Sequence, residues 1–463
     1  MERSAVFNRA LWWGLGALAT GLVPACRPTS PATTAALAAP AASSKVGDSV
    51  AGGKQPLSPA SADETSTSKD QPPPRVLQRC FPDAPAWVDA PVAELLDRAA
   101  TMFDASQFGA ALACAEEASR QAPRSVEAHH NRAVALIRLE RMDEARDALA
   151  LALALDPDDP ETLEAAADFN INQLPPSADR SAIGLEYARR AIRRVGRRDP
   201  ERVVRLALLE GEALIDLGRA QEALRRIDVA LASSPKLPAA FYERGVALFE
   251  LCRFAEARRM FEKVLAQTPD HGHALYHLGL IEERLGDEPS AERHLSAAGV
   301  RDPKTFPPPP SVSSTDFSRL LQNALAALPE DVKADLDGIT VEAAEIPRLE
   351  DLTAENPPLS PTILGLFRGL PLGFRAETPR PTKAARGGKG RRAASSGSGA
   401  DSGGSGATTC GAPDRAIVLY RRNLLRTVRD EKELVAAISR TLMHEVGHLR
   451  GEDDGSLRDR GLE

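Results

Sequence analysis

Two histidines near the C-terminal end of the sequence, His444 and His448, lie four residues apart in the run His-Glu-Val-Gly-His. Side chains four positions apart on an α-helix lie on one face, about one turn from each other, so both imidazoles can reach a single metal ion. Glu445, the residue after the first histidine, supplies a carboxylate that can take a proton from a water molecule. The spacing therefore predicts a metal site with hydrolytic chemistry.

A third ligand is expected from the residues after the second histidine. Gly451 suits the end of the helix, because glycine readily adopts the left-handed backbone conformation that reverses the chain. That reversal would bring Asp454 back to the metal ion. Three protein ligands with no obvious fourth are typical of a catalytic Zn2+ site, which keeps one position open. The alternative is a solvated helix end whose two histidines bind nothing.

The helix that must position these residues has sequence signals of its own. Asp430, with Glu433 three residues later, forms a start that resembles a capping box. Apolar residues then recur at helical spacing, at Leu434, Val435, Ile438, Leu442, Val446 and Leu449. The pattern predicts a helix of about five turns, with the histidines in its last two turns.

The C-terminal region resembles the small bacterial zincin-like metallopeptidases, whose signature is His-Glu-x-x-His-x-x-Gly-x-x-Asp. The resemblance spans residues 315–463 and includes the stretches 317–328, 341–346, 364–369 and 413–422. It implies zinc at His444, His448 and Asp454, with Glu445 as the general base.

Peptide hydrolysis also needs a strand that holds the substrate and a donor for the oxyanion of the transition state. In zincins a strand beside the active-site helix pairs with the substrate backbone, and by resemblance Ala416–Tyr420 is the candidate. Tyr420, Arg421 and Arg422 precede the helix and are candidate oxyanion donors.

Residues 315–463 are predicted to form a small α+β domain. Thr340–Ile346 and Ala416–Tyr420 have the length and β-branched content of strands. Residues 383–411 begin with a basic run and continue in Gly/Ser-rich composition, which predicts a disordered insertion in a surface loop.

Residues 91–303 repeat with a period of 34. The recurring positions are Pro235, Pro269 and Pro303; Gly211, Gly245 and Gly279; Ala223, Ala257 and Ala291. This period, with small residues at fixed places and proline at the end of each unit, resembles the tetratricopeptide repeat. The predicted fold class is therefore multi-domain: an all-α tetratricopeptide-repeat superhelix followed by the zincin-like domain. The concave groove of such an array commonly holds a peptide or a partner protein.

The last repeat contains three histidines, and a proline-rich segment follows it. His271, His273 and His277 include a second pair at i, i+4, but no nearby acid completes a catalytic pattern, so a surface pair is favoured over a ligand pair. The proline-rich residues 304–314 predict a stiff linker that keeps the repeats and the C-terminal domain apart.

Residues 1–26 have the features of an export signal. Two arginines precede an apolar stretch, Leu11–Val23, which is too short to span a bilayer. The stretch ends at Cys26 in a sequence that resembles the bacterial lipoprotein cleavage box, which would make the protein lipid-anchored in the cell envelope, on the outer membrane or in the periplasm. A plain cleaved signal is the alternative. Residues 27–90 are predicted to be a disordered tether.

The remaining cysteines and the net charge indicate which disulfides and which classes of partner to expect. Cys114 and Cys252 fall at helical positions and are expected to be small buried hydrophobes. Cys80 and Cys410 lie in segments expected to be flexible, where export would permit a disulfide. A net charge of −7 gives no case for nucleic-acid binding.

The leading hypothesis is a membrane-anchored, zinc-dependent metallopeptidase whose repeats recruit a protein substrate or partner. The alternative is a non-enzymatic tetratricopeptide scaffold lipoprotein with a structural or vestigial metal site.

Overall fold

The computed structural model describes residue 80 and residues 90–196, 198–373 and 415–462. These fall into two compact units, divided between Ala166 and Ala167. Cys26, nearly all of the predicted tether and the predicted insertion at 383–411 lie outside the described residues. Within them, no helix combines the length and the apolar character that a bilayer crossing requires.

The first unit is built from helical hairpins. Its helices are α1 (Val92–Asp104), α2 (Phe108–Gln121), α3 (Val126–Arg138) and α4 (Met142–Leu155), and α5 (Pro160–Asp168) begins in it. A disulfide joins Cys80 to Cys114 on α2, and both residues are fully buried. Cys114 is buried as expected, but it forms a disulfide, and Cys80 pairs with it rather than with Cys410. The buried face of α2 is rich in alanine, so the segment that carries Cys80 can approach closely.

The second unit continues the helical pairs after a π-helical turn at Phe169–Gln173. Its repeat helices are α6 (Ala178–Val195), α7 (Pro200–Asp216), α8 (Ala220–Ser233), α9 (Pro238–Glu250), α10 (Phe254–Gln267), α11 (Gly272–Arg284) and α12 (Glu288–Arg301). Consecutive helices pack against each other, α7 on α8, α9 on α10 and α11 on α12.

The 34-residue period of glycine reflects close helix contacts. A Cβ added at Gly211, Gly245 or Gly279 would lie 2.8, 2.7 and 2.6 Å from a side-chain carbon on the partner helix. Those carbons belong to Ile227, Phe261 and Leu295, which also recur every 34 residues. The predicted tetratricopeptide-repeat architecture is confirmed, since its small residues stand where two helices meet.

The C-terminal region is a small α+β fold. Its elements are α13 (Ser314–Ala326), α14 (Glu330–Asp335), β1 (Thr340–Ala344), α15 (Leu349–Leu352), β2 (Gly365–Arg368), β3 (Ala416–Tyr420), α16 (Arg421–Arg426), α17 (Glu431–Arg450) and α18 (Asp454–Asp459). The sheet order is β1-β3-β2, with β1 parallel and β2 antiparallel to β3.

The strand order corrects the choice of substrate strand. β3 is the central strand and its backbone is paired on both sides. It therefore cannot add a substrate strand. In the described part of the chain β2 has β3 as its one neighbour, and it lies against α17.

The core of this fold holds α17 rigidly. Ile417 and Leu419 of β3 are fully buried, and Phe317 of α13 packs into the same cluster. From α17 the cluster takes Leu434, Ala437, Ile438, Leu442 and Val446. The predicted apolar stripe is thus the face by which α17 packs on the sheet and on α13, except that Val435 was wrongly included, since it is 39% exposed.

The proline-rich linker does not keep the repeats away from this fold. Phe306, within it, is buried and stacks on Tyr276 of α11, with 4.8 Å between ring centroids. Arg422 of α16 donates to Glu283 of α11 at 2.8 Å. The expected separation was wrong, because apolar and charged side chains of the last repeat find partners in the C-terminal fold.

The three histidines of the last repeat are packing residues. His277 stacks on Phe261 with 5.0 Å between centroids, and His273 meets Phe306 edge-on at 4.9 Å. Burial lowers the pKa of His271 to about 4. The expectation of a surface pair was therefore wrong, because aromatic neighbours cover these rings.

Candidate metal centre

The helix that carries the histidines begins and ends as its sequence predicts. Asp430 accepts a hydrogen bond from the backbone N–H of Glu433 at 2.8 Å, and the Glu433 carboxylate accepts from the N–H of Arg429. The first bond satisfies an N–H group that the first turn leaves without an intrahelical partner, and the second holds the residue before the N-cap. At the other end Gly451 is left-handed, with φ 87°.

The reversal after Gly451 delivers the predicted third residue. Asp453 caps α18 by accepting from the N–H of Ser456 at 2.8 Å, so α18 starts at a defined place. Asp454 is the first residue of α18 and is 5% exposed. Its carboxylate is therefore fixed beside the last turns of α17.

Three side chains converge at this point. The Nε2 atoms of His444 and His448 are 3.1 Å apart. The Oδ1 atom of Asp454 lies 3.1 Å from Nε2 of His448 and 3.6 Å from Nε2 of His444. Among the described residues, this is the group of histidine, cysteine and acidic side chains whose spacing could hold a metal ion.

The second nitrogen of each imidazole is held by a backbone carbonyl. Nδ1 of His444 lies 2.7 Å from the carbonyl oxygen of Leu462, and Nδ1 of His448 lies 3.1 Å from that of Glu452. A carbonyl can only accept, so Nδ1 carries the proton and donates it. Each Nε2 is then left with its lone pair toward the carboxylate, which is how metal-binding histidines are usually oriented.

The donor set fits zinc. Ligand atoms bonded to a tetrahedral Zn2+ at ~2.0–2.1 Å lie roughly 3.3–3.4 Å from one another. The three separations among His444, His448 and Asp454 lie on either side of that value. Two neutral imidazoles and one carboxylate are also a ligand set that occurs in catalytic zinc sites.

Sequence comparison decides the family of this region. Residues 396–462 match the model of the zincin-like metallopeptidase family. The chain carries a zincin-like metallopeptidase domain at its C-terminal end. Residues 96–160, 208–251 and 242–304 match the model of the tetratricopeptide repeat. No curated protein sequence matches the chain.

Several solved structures are similar to the helical part. PilW, a widely conserved type IV pilus biogenesis factor, is 20% identical over 46% of this chain and 94% of its own, with a TM-score of 0.41. PilF of Pseudomonas aeruginosa is 15% identical over 50% of this chain and 97% of its own, with a TM-score of 0.39. YrrB, a TPR protein with an unusual peptide-binding site, is 19% identical over 41% and 93%, with a TM-score of 0.31.

A glycine between the two histidines, at a position that the signature leaves open, allows α18 to pack on α17. A Cβ at Gly447 would overlap a methyl carbon of Leu457. Glycine is therefore required here, between the two histidines, for α18 to bring Asp454 into reach. Sequence reasoning passed over Gly447, although a glycine inside an apolar helix is itself a signal of close packing.

Glu445 follows His444 in α17, and its carboxylate is held by strand β2. It is 5% exposed, and its Oε2 accepts a hydrogen bond from the backbone N–H of Phe367 at 2.7 Å. A Cβ at Gly365 would lie 2.9 Å from Oε1 of Glu445, so only glycine leaves room for the carboxylate. Burial raises the pKa of the Glu445 carboxyl to about 8, against the lowering effect of the hydrogen bond.

Two of the three candidate oxyanion donors, Arg421 and Arg422, are occupied elsewhere, and the third, Tyr420, is buried. Tyr420 is fully buried in the sheet. Arg421 donates to Glu345 at 2.9 and 2.7 Å, and Arg422 donates to the same carboxylate and to Glu283. These contacts hold the two arginines on Glu345 and Glu283, whereas Tyr420 interacts electrostatically with Glu445.

Proposed function

We propose that this protein is a zinc-dependent metallopeptidase whose repeats bind the protein that it cleaves or a partner of that protein. The observation that carries the proposal is the arrangement of His444, His448 and Asp454. Both Nε2 atoms and one carboxylate oxygen face one another within 3.6 Å, while backbone carbonyls hold both Nδ1 atoms.

Zinc held by these three side chains would polarise a peptide carbonyl and acidify a water molecule. Glu445 would be the base that takes a proton from the attacking water and later delivers it to the leaving amine. The N–H of Phe367 holds its Oε2. The backbone edge of β2 supports an extended substrate beside α17, in place of the central strand β3.

We further propose that the protein is exported and anchored in the bacterial cell envelope by a lipid on Cys26. The sequence that ends at Cys26 is the basis of this proposal. The buried Cys80–Cys114 disulfide supports it, because such bonds persist in oxidising compartments outside the cytosol.

The test is a comparison of Glu445→Gln with the unaltered protein. Zinc content is measured by elemental analysis, and cleavage is measured on a mixture of peptides of varied sequence. We expect Glu445→Gln to keep its zinc and to lose about 10²–10⁴-fold in cleavage rate, since it lacks the base.

Two further variants serve as controls. His444→Ala should lose both zinc and cleavage, whereas the exposed Arg293→Ala in α12 should lose neither. Zinc retained by all except His444→Ala, with no cleavage by any form, would favour a tetratricopeptide scaffold with a structural or vestigial metal site.

A further inference from the structure

Two adjacent residues at the end of repeat helix α11 reach into the zincin-like domain. The carboxylate of Glu283 accepts from Arg422 at 2.8 Å and from Arg426 at 2.5 Å. Burial alone would raise the pKa of Glu283, but the two guanidinium groups hold it below its usual value. The carboxylate is therefore a charged link between the repeats and α16.

Arg284, the next residue, makes a different kind of contact. Its Nη1 donates to the carbonyl oxygen of Pro347 at 3.0 Å, and its Nη2 donates to that of Pro361 at 2.7 Å. The guanidinium lies over the ring of Phe254 of α10, 5.2 Å from its centroid. A planar group with fixed donor directions can hold two separate carbonyls at once, which an ammonium group cannot do as well.

Both carbonyls belong to the segment that connects β1 to β2, residues 345–364. The same segment receives a third contact from the repeats, from Sγ of Cys252 to the carbonyl oxygen of Leu359 at 3.8 Å. On its other side, Nδ2 of Asn423 donates to the carbonyls of Pro361 at 3.1 Å and Ile363 at 2.8 Å. The segment is thus held between α11 and α16.

A short path leads from this segment to the metal centre. Leu364 accepts from the N–H of Tyr420 at 2.8 Å, where β2 joins the sheet. Gly365 then packs against Glu445, and the N–H of Phe367 binds the Glu445 carboxylate. Pro361, which Arg284 holds, therefore lies close to Phe367 along the chain.

We propose that Arg284 is a positioning residue for the metal centre. By holding both ends of the connection into β2, it fixes the strand whose backbone orients Glu445. The repeats therefore form part of the scaffold of the hydrolytic site, in addition to any partner that they bind. The consequence for cleavage rests on the proposed peptidase function, but the positioning of β2 does not.

The experiment compares Arg284→Ala, Arg284→Lys and Arg293→Ala in the otherwise complete protein. Arg293 is a matched control, because it is exposed and donates to Pro289 and Ser290 of its own helix. Hydrogen–deuterium exchange is followed by mass spectrometry in a peptide that covers residues 363–368. Zinc affinity, kcat and KM are measured on the same samples.

Arg284→Ala should speed exchange in this peptide roughly tenfold or more, since two charge-assisted hydrogen bonds are lost. We expect kcat to fall about 10–100-fold as Glu445 loses its alignment, while KM changes little. Zinc affinity should stay the same, because no proposed ligand depends on β2. Arg284→Lys should have an intermediate effect and Arg293→Ala none.

Unchanged exchange in residues 363–368 of Arg284→Ala would overturn the inference. If that variant does not fold, Arg284→Lys decides in the same way, and exchange equal to that of the unaltered protein overturns the inference. Faster exchange in a protein that never cleaves a peptide would leave the positioning role standing and would refute the peptidase. Cleavage that is unaffected by Arg284→Ala, together with unchanged exchange, would refute the positioning role alone.

Discussion

Two pairs of histidines in this molecule have the same spacing on a helix and different surroundings. His273 and His277 in the last repeat pack among aromatic rings, and Nδ1 of His277 meets the carbonyl of His273, one turn earlier in its own helix. His444 and His448 instead turn both Nε2 atoms toward Asp454. Spacing at i, i+4 brings two imidazoles to one face, but a neighbouring segment decides what they can bind.

The difference arises from the segment after each helix. After α17 the left-handed Gly451 reverses the chain, and α18 returns a carboxylate to the imidazoles. After α11 the left-handed Gly286 also reverses the chain, but α12 then packs along α11, and no described acidic side chain groups with His273 and His277 as a possible metal ligand. Substitutions in α18 or in the segment that packs against it should therefore make the pair His444 and His448 behave like the pair His273 and His277.

The largest effect is expected from Asp454→Asn. Loss of the one anionic ligand should weaken zinc binding by more than the roughly 10–100-fold that loss of an outer partner costs. Competition with a chromophoric chelator measures the affinity. Asp459→Asn, exposed at the end of α18, is the control and should bind zinc as the unaltered protein does. Equal affinity in the two variants would remove Asp454 from the ligand set.

Gly447→Ala should have the next largest effect. Alanine gains about 1 kcal/mol over glycine in a helix, but overpacking costs ~1–3 kcal/mol and the clash with Leu457 is severe. We expect α18 to shift, with lower zinc affinity and a lower melting temperature.

A second substitution sharpens this prediction. Gly279→Ala in the repeats meets Leu295 at 2.6 Å and should lower the melting temperature without changing zinc affinity. Adding Leu457→Ala to Gly447→Ala should restore part of the zinc affinity. If the two glycine variants lose zinc affinity equally, the loss reflects general destabilisation and not the placement of Asp454.

Removal of the Leu462 carbonyl should have a moderate effect. A stop after Arg460 deletes the acceptor of His444 Nδ1, and lost outer partners cost about 10–100-fold in metal affinity. The measurement is again zinc competition, with circular dichroism to verify the fold. Unchanged affinity would mean that α17 alone orients His444.

His277→Phe should have the smallest effect. A phenylalanine ring can keep the stack on Phe261 while it gives up one hydrogen bond, which is worth about 0.5–1.5 kcal/mol. We expect a change in unfolding free energy below ~1 kcal/mol and unaltered zinc content. A loss of zinc in this variant would contradict the contrast between the two pairs.

The sequence was most informative where one local rule governs the outcome. Asp430 starts α17 and Gly451 ends it, as capping chemistry predicts. The period that contains Gly211 reflects a contact that recurs with every repeat, such as that with Ile227. Such features depend on a few neighbouring residues or on regular stacking.

Features that depend on segments far apart in the chain escaped prediction. The partner of Cys114 comes from a segment outside the periodic pattern, 34 residues earlier. The edge position of β2 depends on pairing with a strand about fifty residues later in the chain. The hydrogen bonds from Arg284 to the carbonyls of Pro347 and Pro361 join the repeats to the segment between β1 and β2. The spacing of residues in the sequence does not predict these contacts, because they form only when separate elements pack.

All three proposed ligands come from one stretch of eleven residues, His444 to Asp454. A bound ion would therefore crosslink residues that lie close together in the chain. Crosslinks that close so short a loop contribute little to global stability. The apolar cluster that holds α17 to the sheet contains none of the three side chains. A chelator should thus remove the ion while the fold stays intact, because Leu457 of α18 packs on Gly447, so that loading and unloading of the ion can be a reversible, local event.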